Sequence, residues 1–312
     1  MAGLLQKQFQ DDDAAREHLE KLIWPDGPVC PHCGVIGEST KLQPKEGGKT
    51  HARKGLYQCN GCREQFTVTV GTIFEDSHIP LHKWLLAIHL MCSSKKGISA
   101  LQLQRNLELG SYRTAWFMCH RIRWAMTQSP MAEMLSGVVE ADETYIGGKE
   151  KGLRGIPGGR DSKKTPVLAL LERGGDVRSF PVPRTTLANL KPIMKEHIDP
   201  STHLVTDESP VYYFMAPEFA QHSTVNHKAK EYVRREANFK VTTNTVESFF
   251  ALLKRSNYGI HHHMSRKYLG SYCAERDFVY NGRKLSDDER TIKALKGTEG
   301  KRLMLKQPKN SG

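Results

Sequence analysis

The chain has 312 residues, enough for one large domain and one or two small ones. Its 46 Lys and Arg against 34 Asp and Glu give a formal net charge of +12, a balance that fits a polyanionic partner, most simply nucleic acid. The opening segment MAGLLQKQFQDDD has no signal-peptide core and no apolar run reaches the roughly 18 residues of a span, so no membrane partner is expected, and a cytoplasmic, nucleoid-associated location with reduced thiols is.

Residues 1–75 read as an N-terminal helix followed by a metal knuckle pair. Residues 11–23 form a short helix whose leading aspartates suit a positive helix end, and Trp24-Pro25-Asp26-Gly27 stops it. Then come Cys30-Pro-His-Cys33 and Cys59-Asn-Gly-Cys62, with 25 residues between the pairs. Each Cys-x-x-Cys turn points both sulfurs inward, and two such turns close a tetrahedron around one structural Zn²⁺. Tyr57-Gln58 and residues 65–69 read as the hairpin of a zinc ribbon. A redox dithiol would come singly in a βαβ setting, which this is not. His32 is expected to face solvent, and residues 41–55 to form a basic, exposed loop. Cys92, Cys119 and Cys273 lie in apolar or helical surroundings and read as packing residues.

Residues 76–130 are helical. Trp84, Leu85, Ile88, Met91 and Cys92 recur at helical spacing. Ile98 to Leu107 forms a second helix with Ser99 as its cap, and Gly110-Ser111 turns the chain into a third, Tyr112 to Met126. That pair suits a helix-turn-helix, with Arg113, Arg121 and Arg123 as candidate DNA contacts. A plain helical linker is the alternative.

The acids fall in residues 131–285. Val138 to Tyr145 reads as a strand carrying Asp142 at its end. Residues 147–165 form a glycine-rich basic loop in which Lys149 and Lys151 are candidate DNA contacts. A hairpin through Gly174-Gly175, a helix over Leu187 to Ile198 and a strand His203-Leu-Val-Thr-Asp207 follow. Two strands that each end in Asp can bring both carboxylates to one sheet edge. On the helix that follows, Val246, Phe250 and Leu253 share the core face, and Asn244, Glu247, Ala251 and Lys254 share another, with Arg255 beside it. Asp142, Asp207 and Glu247 together suit two Mg²⁺ or Mn²⁺ ions about 3.5–4 Å apart, holding the attacking and leaving oxygens of a phosphodiester.

These residues resemble a known family. Asp142-Glu-Thr-Tyr-Ile-Gly-Gly-Lys149, Thr206-Asp207-Glu208, His222-Ser-Thr-Val-Asn-His227, Asn244-Thr-Val-Glu-Ser-Phe-Phe-Ala-Leu-Leu-Lys-Arg255 and Tyr258-Gly-Ile-His-His-His263 look like insertion-sequence transposases of the ISXO-two-like group. The resemblance runs from about Asp11 to Arg283. It implies an α/β, RNase H-like catalytic domain, a five-stranded mixed sheet with flanking helices, behind the zinc ribbon. It implies Asp142 and Asp207 as the first two catalytic acids. The third is Glu247 or Asn244, with Lys254 following; Glu247 is preferred because a carboxylate binds a metal ion better than an amide. The implied activity is Mg²⁺-dependent cleavage and strand transfer on double-stranded DNA, at transposon ends and target, by a homodimer or larger assembly. The rivals are a metal nuclease without strand transfer and a zinc-ribbon regulator with an inactive catalytic domain. Glu140 is expected in a structural ion pair. Glu143 and Glu208 are expected to point away from the neighbouring aspartates, and His222 and His227 to be structural. Residues 286–312 read as a basic, frayed tail.

Overall fold

The computed structural model describes residues 3–43, 54–128, 133–148, 164–227, 229, 231–236 and 239–304. They form two compact units, Met1–Met126 with Leu285–Gly312, and Thr127–Lys284. Among the described residues no helix is long and apolar enough to cross a membrane.

In the first unit, α1 (Asp12–Ile23) starts where Asp11 accepts from Ala14 N at 2.8 Å, with Asp12 and Asp13 in its first turn. Short polar side chains fix such starts because they replace the missing helical acceptor. The ribbon follows as β1 (Ser39–Lys41), β2 (Tyr57–Cys59) and β3 (Gln65–Phe66), an antiparallel sheet in which Tyr57 pairs with Phe66. Trp24 sets its edge against Tyr57 and Phe66, and this aromatic group packs with Cys30 and Cys59. Three helices come next: α2 (Leu81–Ser93), α3 (Ala100–Asn106) and α4 (Tyr112–Ala125). The expected α2 stripe is buried, and the caps of α3 and α4 are Ser99, accepting from Gln102 N, and Ser111, accepting from Thr114 N.

The residues after Ser286 differ from the expected frayed tail. Asp287–Lys296 is a helix with a capping box, Ser286 and Glu289 each accepting from the other's backbone N–H. It docks on α2 through His89 Nδ1 and Thr291 Oγ1 at 3.0 Å and through Arg290 Nε donating to Cys92 O at 3.0 Å. Ser-Asp-Asp-Glu is a start signal that the charge of the segment conceals.

The second unit is built on a mixed sheet. Its strands are β4 (Val138–Ile146), β5 (Thr165–Glu172), β6 (Val177–Pro181), β7 (His203–Asp207) and β8 (Gln221–Val225). In space they run β6-β5-β4-β7-β8, antiparallel from β6 to β4 and parallel from β4 to β8. Helix α5 (Leu187–His197) joins β6 to β7, and the short α6 (Pro210–Tyr213) follows β7. A small hairpin of β9 (Arg234–Glu236) and β10 (Phe239–Val241) leads into α7 (Asn244–Ser256), and α8 (Leu269–Asn281) comes last.

Strand alternation divides the core in two. Val139, Ala141, Leu168, Leu170 and Leu204 face Leu190 and Met194 of α5 and Tyr212 of α6. Ile146, Val167, Ala169 and Leu171 face Val246, Phe249, Phe250 and Leu253 of α7 and Tyr272 of α8. With both faces covered, β5 reads as the near-continuous apolar run Val-Leu-Ala-Leu-Leu.

Candidate functional site

In the first unit the cysteines meet. Cys30 Sγ lies 3.6 Å from Cys62 Sγ, and Cys33 Sγ 3.6 Å from Cys59 Sγ. All of their ligand atoms lie within 4.8 Å of one another, the one such set of three or more His, Cys, Asp or Glu side chains among the described residues. A disulfide would need sulfurs about 2.05 Å apart. A tetrahedron of Zn–S bonds near 2.3 Å has edges of about 3.8 Å, so the spacing fits a zinc ion held by Cys30, Cys33, Cys59 and Cys62. The N–H of Cys62, and then that of Gly61, point at the Cys59 sulfur and bring its thiol down to about 7, the direction that makes a metal-binding thiolate.

The helical region assigns its arginines differently from the sequence. Arg113 is exposed in the first turn of α4, next to exposed Tyr112. Arg121 and Arg123, expected to touch DNA, are interior, 6% and 2% exposed. Arg121 Nη2 donates to Glu75 O at 2.7 Å, and its guanidinium lies 5.2 Å from the Trp84 ring centre and 5.8 Å from that of Phe117. These contacts turn the Arg121 guanidinium into the interior, away from solvent.

In the second unit the acids converge on the α7 side of the sheet. β4 pairs with β7 at Val138–His203, Val139–Leu204 and Glu140–Val205. Two further residues on each chain bring Asp142 level with Asp207. Asp142 is not at the end of its strand, because Thr144, Tyr145 and Ile146 continue the pairing with β5. Asp207 does end β7, and its Oδ1 accepts Ser209 N at 3.0 Å. Glu247 comes from the first turns of α7, its Oε1 accepting from Thr243 Oγ1 at 3.0 Å. Burial raises the Asp142 carboxyl, and the charges of Glu143, Asp207 and Glu247 push it further, to about 8, against a pull downward from the Glu143 N–H. Carboxylates under mutual repulsion are the donor chemistry that suits hard divalent cations such as Mg²⁺.

Asn244 is exposed where α7 begins, and Lys254 and Arg255 are exposed near its end. Lys149 and Lys151 lie outside the described residues. Glu140 forms the expected ion pair, with Arg173 Nε at 2.7 Å. Glu143 does face the other side of the sheet, but burial raises it to about 7 beside the Tyr212 phenol, which lowers it, and Asp207, which raises it. It is therefore part of the acidic field around Asp142.

His227, expected to be structural, reaches the Glu247 carboxylate. Its Nε2 is 3.3 Å from Glu247 Oε1 and 3.2 Å from Thr243 Oγ1. The signal was present: His227 follows β8, the parallel neighbour of β7, so it leaves the sheet at the same edge as Asp207. His222, on β8 itself, meets Thr206 Oγ1 at 2.9 Å and is structural as expected.

Residues 134–281 match the ISXO2-like transposase domain, and residues 10–65 match the transposase zinc-ribbon domain. An uncharacterised protein in transposable element ISH50 of Halobacterium salinarum is 26% identical over 272 residues, covering 80% of this chain and 84% of that protein. A chain of the simian T-cell lymphotropic virus intasome, solved in complex with PP2A regulatory subunit B56 gamma, is similar over 63% of each chain at 16% identity and a TM-score of 0.27, too low to bear on this fold. The cysteine cluster lies inside the zinc-ribbon match, the acid cluster inside the ISXO2-like match, and the transposon-borne relative runs across most of the chain: the protein carries the N-terminal zinc-ribbon domain and the ISXO2-like domain of insertion-sequence transposases.

Proposed function

We propose that this transposase grips the terminal inverted repeats of an insertion sequence as double-stranded DNA, and cuts and joins strands at Asp142, Asp207 and Glu247. The observation that carries the reading is the convergence of acidic charge on Asp142 from β4, β7 and α7. The catalytic unit is read as RNase H-like. Counting β4 as the first strand, the spatial order is third, second, first, fourth, fifth, with the first three antiparallel and the last two parallel to the first.

Asp142, Asp207 and Glu247 would hold two Mg²⁺ or Mn²⁺ ions. When bound, such ions polarise the phosphodiester and ease proton loss from the attacking oxygen. The chain's own residues do the rest. Asp142 and Asp207 fix donor oxygens on neighbouring rigid strands, and Glu247 closes the set from α7. His227 and the Thr243 hydroxyl orient the Glu247 carboxylate. Exposed Lys254 and Arg255 on α7, and Arg113 on α4, offer charge to DNA phosphates.

In the first step water attacks phosphorus at the transposon end. The bond from phosphorus to the 3′ oxygen breaks, and the water's proton is lost as the 3′-hydroxyl forms. In the second step that hydroxyl attacks a target phosphodiester and a target 3′ oxygen leaves with a proton. One phosphodiester is made for one broken, so no covalent enzyme intermediate is required. Joining two ends at one target calls for at least two protomers in the assembly.

A strand-transfer assay with a pre-cleaved transposon end and Mg²⁺ tests the reading. Joined product is expected. Hydrolysis without joining would instead make the protein a metal nuclease.

A further inference from the structure

Ahead of Glu247, the helix that carries it has only its first N–H met locally, Asn244 N donating to Thr242 Oγ1 at 3.2 Å. Thr243 occupies the N-cap position of α7, but its hydroxyl donates to Glu247 instead of accepting from the first turn. The N–H groups of Thr245 and Val246, which a cap would normally take, donate across to β4. They reach Glu140 Oε2 at 2.9 and 3.0 Å. The Thr245 hydroxyl donates to Glu140 Oε1 at 3.0 Å, and Arg173 Nε to the same oxygen at 2.7 Å. Glu140 is 0% exposed and both of its oxygens are engaged.

Arg173 extends the contact. Its Nη1 donates to Lys240 O and its Nη2 to Thr242 O, each at 2.7 Å, and its guanidinium lies 5.1 Å from the Phe239 ring centre. These partners form the segment that enters α7. One buried ion pair thus ties β4, the end of β5 and both sides of the start of α7.

Resting on the reading of the acid cluster as the metal-binding active site, we infer that Glu140 and Arg173 are positioning residues that clamp the Glu247 helix to the strand bearing Asp142. Glu140 and Asp142 share a strand and a face, about 7 Å apart along it. Val246 N is adjacent in sequence to Glu247. Sliding α7 by one residue, about 1.5 Å, would break both cap bonds and carry Glu247 away from Asp142. Misplacement by about 1 Å is enough to cost some 10²-fold in rate. Net stability does not explain the pair, since a buried salt bridge adds little over a well-packed apolar one. An apolar pair could not accept the helix N–H groups.

The test uses the full-length, zinc-loaded protein and Mn²⁺ as the probe, read by electron paramagnetic resonance, together with amide hydrogen exchange. The variants are Glu140→Gln and the double variant Glu140→Gln/Arg173→Met, which leaves no buried charge unpaired. Asp142→Asn serves as the control. Wild type should bind Mn²⁺ in a way that Asp142→Asn removes. Both clamp variants should bind it about 10- to 100-fold more weakly. The amides of Thr245 and Val246 should exchange faster while β4 and β5 stay protected. If the single variant does not fold, the double variant decides. Wild-type Mn²⁺ affinity in a folded clamp variant, or unchanged exchange at Thr245 and Val246, overturns the clamp and leaves the active-site reading standing. Failure of the double variant to fold also overturns it, by making the pair structural. If wild type shows no Mn²⁺ binding sensitive to Asp142→Asn, the active-site reading itself falls and the clamp with it.

Discussion

Asp142 and Asp207 stand abreast on neighbouring parallel strands, two residues beyond the paired Glu140 and Val205. Residues at one level of neighbouring strands share a face, so the pairing that ends at Glu140 and Val205 sends both carboxylates to the same side of the sheet. β7 ends at Asp207, whereas β4 continues to Ile146 paired only with β5. The acids therefore sit where the sheet opens beyond the end of β7.

This geometry sets the first prediction. Asp142→Asn and Asp207→Asn should each lower strand cleavage by about three orders of magnitude, since each removes a charged donor from the phosphate-activating set. Affinity for duplex DNA should hold or rise, because a negative charge is lost. Glu247→Gln should cost about two orders or more, and Asn244→Ala under about tenfold, because Asn244 is exposed at the helix start. Single-turnover cleavage beside filter binding reads both quantities. Equal losses for Asn244→Ala and Glu247→Gln would remove Glu247 from the third position.

The acidic field should also appear in stability. Burial and neighbouring charge raise Asp142 to about 8 in the folded, metal-free protein, against about 3.9 in the unfolded chain. Between those values the folded state keeps a proton that the unfolded state has released. Stability therefore falls as pH rises through that window. Asp142→Asn should flatten the slope and be more stable than wild type at pH 8 without divalent ions, an activity site held at the expense of the fold. Urea melts of both proteins at pH 6 and pH 8 measure this. A wild-type slope that survives the substitution would assign it to other groups.

Much of this fold was legible because its signals are local. Cys-x-x-Cys spacing, the aspartates at the start of α1, Ser99 before an apolar run, and the Val246, Phe250 and Leu253 stripe each state their own geometry. What was missed depends on partners far along the chain. Glu140 caps a helix that starts more than 100 residues later, with separations of 105 to Thr245 and 106 to Val246. Arg121 and Arg123 look solvent-seeking by type. α4, however, also buries Ala115, Met118, Cys119, Ile122 and Ala125, so little of its circumference is left for water. Periodicity shows that a helix has an apolar face; it does not show how many sides are covered. His227 fell between these cases, since its place at the sheet edge is local but its contact with Glu247 is not.

Removing zinc should undo the ribbon without first melting the DDE unit. Five residues, Tyr57, Phe66, Trp24, Val35 and Val70, are the apolar support of the cysteines, a small core. Metal binding must supply much of the local folding energy, as it does in other small zinc domains. Chelation, or Cys59→Ser, should shift Trp24 emission to the red as its edge contacts with Tyr57 and Phe66 are lost. Lower pH should ease zinc release, because the thiols must lose protons to bind. Metal analysis after gel filtration, with Trp84, Trp116 and Trp124 replaced by Phe to isolate Trp24, checks both. Purified protein holding no zinc but keeping the native Trp24 signal would rule the centre out.

The arginines of α4 give a contrast within one helix. Arg113 is exposed on the first turn, where helix-turn-helix readers meet DNA, and Arg121 is enclosed against Glu75, Trp84 and Phe117. Arg113→Ala should weaken duplex binding and reduce the slope of log affinity against log salt by about 1. It should change stability by no more than about 0.5 kcal/mol. Arg121→Ala should do the reverse. Losing the bond to the Glu75 carbonyl and the ring contacts should cost about 1–3 kcal/mol, while the salt slope of the folded fraction stays at the wild-type value. Fluorescence anisotropy on a duplex at several salt concentrations, with urea melts of each variant, separates the two effects. A reduced salt slope in Arg121→Ala would mean that its guanidinium leaves the interior when DNA binds.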